Sequence, residues 1–124
     1  MEKHILLIDD DKTEWKIFND ALKNLADPFT YTHVHTSEEA VRLSKELNPD
    51  FVFIDLNLES GKGVECLQQL KKIKKLKDTL FITYSDTIDQ DMISKAKSMG
   101  AIFIKKPYFT TTMTQHLKTI MVSK

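Results

Sequence analysis

The chain has 124 residues, of which 41% are hydrophobic and 29% charged, with Lys plus Arg and Asp plus Glu balanced at 18 each. That is apolar material for one domain of ordinary size, and no apolar run approaches the length that spans a bilayer. Zero formal net charge argues neither for nor against nucleic acid, and acidic residues follow the first short apolar stretch too soon for a signal peptide. The single Cys66 cannot form an internal disulfide and suits a reducing compartment, so a cytoplasmic location is expected.

Short apolar runs alternate with longer stretches of helical period, the pattern of βαβ units around a parallel sheet. The first strand is expected over Ile5 to Ile8. Trp15, Phe18, Leu22 and Leu25 then share one face of an amphipathic helix, which Asp27-Pro28 stops. Tyr31 to His35 fits a second strand. Thr36-Ser37-Glu38-Glu39 reads as a capping box, Thr36 capping and Glu39 reaching back, for a helix that carries Ala40, Val41, Leu43 and Leu47 and ends before Asn48-Pro49. Phe51 to Ile54 is apolar at every position, as a central strand covered on both faces requires.

After a loop with Gly61 and Gly63, residues Val64, Leu67, Leu70 and Ile73 mark a third helix. Leu80 to Tyr84 is the fourth strand. Thr87-Ile88-Asp89-Gln90 is a second candidate capping box, opening a helix with Met92, Ile93, Ala96 and Met99 that Gly100 is placed to end. Ala101 to Ile104 is the fifth strand, and a last helix carries Met113, Leu117, Ile120 and Met121. Five β/α units consume the chain, so one domain over residues 1–124 is expected.

Four of the five strands run into chemically loaded residues. The first meets Asp9, Asp10 and Asp11, the third meets Asp55, the fourth meets Ser85, and the fifth meets Lys105 and Lys106. In an open α/β sheet, ligands bind outside the carboxyl ends of the strands. One crevice would then hold carboxylates, a hydroxyl and an ammonium, a set suited to a divalent cation and a phosphoryl group together. Asp11 is better placed to open the first helix than to face the crevice. Asp55 ends a fully apolar run, where a charge is costly unless it is paired or binds metal. Clustered carboxylates offer only oxygen, which suits Mg²⁺, with Mn²⁺ as an alternative.

Asp9-Asp10, Asp55, Ser85 and Lys106-Pro107, in this order and spacing, resemble the receiver domain of two-component response regulators across essentially the whole chain. The resemblance implies a flavodoxin-like (CheY-like) doubly wound α/β fold: a five-stranded parallel sheet of order 2-1-3-4-5 with five helices. It implies that Asp55 accepts a phosphoryl group from a sensor histidine kinase or a histidine phosphotransfer protein. Asp10, Asp55 and the backbone carbonyl of Asn57 would bind Mg²⁺ directly, with Asp9 helping through water. Lys106 would lie beside the acceptor, in a cis Lys106-Pro107 bond, and Ser85 would donate to a phosphoryl oxygen. Ser85 and Phe103 would form the switch, Phe103 when counted back from Lys-Pro and Ile104 when counted forward from Gly100. A surface built from the fourth and fifth units would then be read by a downstream protein target.

Such a domain is not an enzyme in the usual sense, though it carries self-phosphorylation and self-dephosphorylation chemistry. It would stand alone or form the N-terminal piece of a larger regulator, without membrane or nucleic-acid contact of its own. The chain departs from the common pattern at Glu59 (often proline), Lys62-Gly63 (often Asp-Gly) and Asp86 (usually small), and Gly100 to Lys106 is one residue shorter than is typical. Glu59 and Asp86 favour an alternative, an interaction module of the same fold that signals with little phosphorylation. An aspartyl-phosphatase reading fits less well, because Asn57 stands where such enzymes carry a second acid. The lysines from Lys71 to Lys77 read as a solvated helix end, and His4, His33, His35 and His116 lack metal-ligand spacing.

Overall fold

A computed structural model describes residues 3–26, 29–86, 89–106 and 109–121. The strands are β1 (Lys3–Ile8), β2 (Phe29–Val34), β3 (Phe51–Asp55), β4 (Leu80–Ser85) and β5 (Ile102–Lys105). They alternate with α1 (Lys12–Lys23), α2 (Ser37–Ser44), α3 (Gly63–Lys71), α4 (Gln90–Ser98) and α5 (Thr110–Met121). All pairings are parallel and the sheet order is β2-β1-β3-β4-β5, the flavodoxin-like order that the resemblance implies.

Period-two alternation divides the strand residues between two apolar layers. Leu6, Ile8, Val52, Ile54 and Phe81 pack with Ala40 of α2, Leu67 and Leu70 of α3, and Ala96 of α4. Ile5, Leu7, Phe51, Phe53, Ile82 and Tyr84 pack with Phe18 and Ala21 of α1 and with Met113 and Leu117 of α5. Both layers are nearly closed to solvent.

Several boundaries differ from expectation. β2 starts at Phe29, two residues early, and stops before His35, because its ladder with β1 runs from Lys3↔Phe29 to Ile8↔Val34. β5 begins at Ile102 because Ala101 is committed to the end of α4. There Gly100, at φ +86°, donates to Lys97 O at 2.9 Å and Ala101 N donates to Ala96 O at 3.2 Å, the two bonds of a Schellman cap. Thr36 caps α2 as expected, accepting from Glu39 N at 3.1 Å, but Glu39 Oε1 reaches His35 N at 3.2 Å rather than the cap residue. α4 is capped by Asp89, whose carboxylate accepts from Asp91 N and Met92 N. Thr87 of the expected second box, the Asp27-Pro28 stop and Pro107 of the implied cis bond lie outside the described residues.

Candidate functional site

β1 and β3 are neighbours with Ile8 opposite Ile54, so Asp9 and Asp55 emerge side by side at the carboxyl edge of the sheet. Both are buried, at 0% and 3% exposure, while Asp10 is exposed to solvent. Carboxylate oxygens of Asp9, Asp10 and Asp55 lie within 4.8 Å of one another. Asp55 Oδ1 accepts from Asn57 N at 2.9 Å, and its Oδ2 accepts from Lys106 Nζ at 3.2 Å. The same ammonium lies 3.7 Å from Asp9 Oδ2 and 3.6 Å from Asp11 Oδ2. Asp11 caps α1 through Thr13 N, as expected, and faces Lys106 as well.

Asp9 is held on every side. Its Oδ1 accepts from Asp11 N at 2.8 Å and its Oδ2 from the Tyr84 hydroxyl at 2.5 Å. Its backbone carbonyl accepts from Trp15 Nε1 at 2.9 Å and from His33 Nε2 at 3.0 Å. Burial pushes the Asp9 carboxyl up to about 6, against the pull of the Tyr84 hydroxyl, the Asp11 N–H and Lys106. Lys106 is itself buried. The carboxylates of Asp9 and Asp55 outweigh that burial and hold its ammonium well above the ordinary lysine range.

At the end of β4, Ser85 Oγ accepts from Asn57 Nδ2 at 2.9 Å, and the same amide group lies 3.2 Å from Asp86 Oδ1. Asn57 thus draws the Asp86 carboxylate toward the hydroxyl. The Asn57 carbonyl accepts from Gly61 N at 3.3 Å, and a carbonyl oxygen retains a second lone pair. Beyond it the backbone turns left-handed at Glu59, Ser60 and Gly61 (φ 48°, 62° and 104°), and Glu59 Oε1 accepts from Ser37 N at 2.7 Å. Gly63 then folds back over β3, where an added Cβ would collide with the backbone of Asp55 and Leu56. Phe103 is half-buried against the α2/α3/α4 layer, whereas Ile104 is buried in the layer of α1 and α5.

Two site residues escaped the sequence reading. Glu14 is 3% exposed, and its Oε1 has no hydrogen-bond partner among the described residues. Burial pushes its carboxyl up to about 7, opposed by Lys106 and reinforced by Asp9, Asp11 and Asp55. Tyr84 was legible only as a strand residue. The signal for Glu14 was its spacing: Glu14, Phe18 and Ala21 recur at helical period and are the buried positions of α1.

These residues fit a hard divalent cation. The donors are all oxygen, two are buried, and one opens to water. The family model for the response regulator receiver domain matches residues 5–118. The chain belongs to this family. The receiver domain is 28% identical over 118 residues, or 94% of its length, to the probable C4-dicarboxylate response regulator DctR of Bacillus subtilis (strain 168), and covers 51% of that protein. It is 26% identical over 77 residues (62% of its length) to the polar-differentiation response regulator DivK of Brucella ovis, covering 61% of it. The receiver thus spans between half and two thirds of the length of these relatives. Among solved structures, the phosphorylated cyanobacterial phytochrome response regulator RcpA superposes with a TM-score of 0.86 at 26% identity, covering 97% of this chain and 91% of that one. No helix among the described residues is long and apolar enough to cross a membrane.

Proposed function

We propose that this receiver domain, acting as a single cytoplasmic unit, accepts a phosphoryl group on Asp55 and thereby switches a surface that a downstream protein reads. The observation that carries the reading is the seating of Asp55: at the end of a fully buried strand, Oδ1 fixed by Asn57 N and Oδ2 paired with Lys106 at 3.2 Å. In the transfer, a carboxylate oxygen of Asp55 attacks phosphorus. A new O–P bond forms as the bond to the donor's nitrogen or acyl oxygen breaks. Lys106 receives negative charge on the phosphoryl oxygens, and Ser85 donates to one of them. Asp10, Asp55 and the Asn57 carbonyl would hold Mg²⁺ or Mn²⁺, with Asp9 assisting through water, and the cation would offset repulsion between anionic donor and anionic acceptor. A sensor histidine kinase or histidine phosphotransfer protein is the donor that this chemistry fits. Ser85 and Phe103 are the switch residues, acting on the face formed by α4, β5 and α5.

Incubation with acetyl phosphate and Mg²⁺ should add one phosphoryl group, detected by intact mass, and Asp55→Asn should abolish it. Equal labelling of the Asp55→Asn variant would move the acceptor elsewhere. A second reading, a receiver-fold interaction module with little phosphorylation, draws on one observation: Asn57 Nδ2 donates to both Ser85 Oγ and Asp86 Oδ1, which sets a carboxylate beside the hydroxyl that the transfer would use. Beryllofluoride with Mg²⁺ discriminates, since the module would leave the amide spectrum unchanged.

A further inference from the structure

Tyr84 has no part in the transfer described above, yet it touches two of the groups around Asp55. It is fully buried in the α1/α5 layer, where an apolar ring would pack as well. A phenolic hydroxyl in such a place is costly unless it is bonded. Its partner is Asp9 Oδ2 at 2.5 Å. The face of its ring lies under the Lys106 ammonium, 5.6 Å from the centroid, within cation–π range.

Asp9 Oδ2 is the nearest buried rival of Asp55 for that ammonium, at 3.7 Å against 3.2 Å. A hydrogen bond into Oδ2 draws electron density from it and weakens its pull on Lys106. With Oδ1 tied to Asp11 N, the Asp9 carboxylate has both oxygens engaged and cannot swing toward a cation without breaking a bond. Asp10, exposed and carrying no such pair of bonds among those described, meets no such barrier.

We propose that Tyr84 is a positioning residue that acts through Asp9: its hydroxyl fixes the Asp9 carboxylate, so that Lys106 stays on Asp55 and Asp9 stays outside the inner coordination sphere of a bound divalent cation. The inference rests on the reading of Asp55 as phosphoacceptor. It makes Tyr84 a determinant of both the rate of transfer and its dependence on metal.

Tyr84→Phe removes one oxygen and keeps the ring. The test has two readings: the rate of labelling by acetyl phosphate across a Mg²⁺ titration, normalised to the folded fraction from circular dichroism, and Mg²⁺ binding without phosphodonor followed by the fluorescence of Trp15, whose indole donates to the Asp9 carbonyl. At saturating Mg²⁺ the rate should fall about tenfold, the scale of one lost hydrogen bond to a charged group. The half-saturating Mg²⁺ concentration should fall as well, because Asp9 Oδ2 is released to the metal. A purely structural role would lower stability and leave that concentration where it was. In an Asp9→Asn background both effects of Tyr84→Phe should vanish, and in an Asp10→Asn background the rate effect should persist. A wild-type chain labelled on Asp55 with an unchanged Tyr84→Phe profile overturns the role of Tyr84 alone. Equal effects of Tyr84→Phe with and without Asp9 do the same. A wild-type chain that takes no label overturns the phosphoacceptor reading and this inference with it.

Discussion

The ends of β1 and β3 carry the same functional group, on adjacent strands, at the same depth. Asp9 is enclosed by Tyr84, the Asp11 N–H, Trp15 and His33, and both its carboxylate oxygens are engaged within the protein. Asp55 is fixed through one oxygen by its own loop and meets the Lys106 ammonium through the other. Chemical identity therefore does not set the role of a carboxylate here. Its neighbours do: in the proposed transfer the β1 end is a supporting wall, and the β3 end is the reacting face.

The same substitution at the two ends should break the symmetry most visibly. Asp55→Asn should remove acetyl-phosphate labelling altogether, whereas Asp9→Asn should slow it by about ten- to hundredfold, read from labelling time courses. Equal losses would mean that both carboxylates do the same work. Lys106 joins the two ends, and Lys106→Ala leaves two buried carboxylates without their ammonium. In metal-free buffer it should cost about 3 kcal/mol of stability by denaturant unfolding, part of which Mg²⁺ restores.

Glu14 sharpens the comparison on the β1 side. Its carboxyl is raised by burial from 4.5 to about 7, so between these values the folded chain holds a proton that the unfolded chain has released. Stability therefore falls as pH rises from about 4.5 to about 7. Asp9, raised by burial from 3.8 to about 6, acts in the same direction. His33, lowered by burial from 6.5 to about 4, opposes both, since stability rises with pH across its window. Glu14→Leu should flatten the net slope and stabilise the metal-free protein at about pH 8 by about 1–3 kcal/mol, with little gain at about pH 5. Chemical denaturation at the two pH values measures this, and a variant less stable than wild type at the higher pH contradicts it. The smallest effect concerns the β3 side. Asp86→Ala should raise the acetyl-phosphate rate about two- to fivefold, with the gain shrinking at high salt if charge rather than bulk sets it.

The crevice was legible because four apolar runs each end abruptly in a polar residue, and a parallel sheet collects such ends at one edge. Strand order came from the resemblance and not from spacing. What escaped the sequence was set by register and depth. Tyr84 reads as a β-forming aromatic, and only the pairing of β3 with β4 turns it toward the β1 end. Glu14 was passed over because Trp15, Phe18, Leu22 and Leu25 look like the apolar face, while burial falls on Glu14, Phe18 and Ala21. The left-handed run at Glu59 and Ser60 has no local signal before Gly61, because it is held by Ser37 from another unit.

Borohydride trapping tests the distinction between the two strand ends most directly. It reduces an aspartyl phosphate to homoserine, and peptide mass spectrometry then locates it in the acetyl-phosphate-treated wild-type chain. The account predicts homoserine at position 55, dependent on Mg²⁺, and none at positions 9 or 10. Homoserine at position 9, or an equal yield without metal, would contradict it.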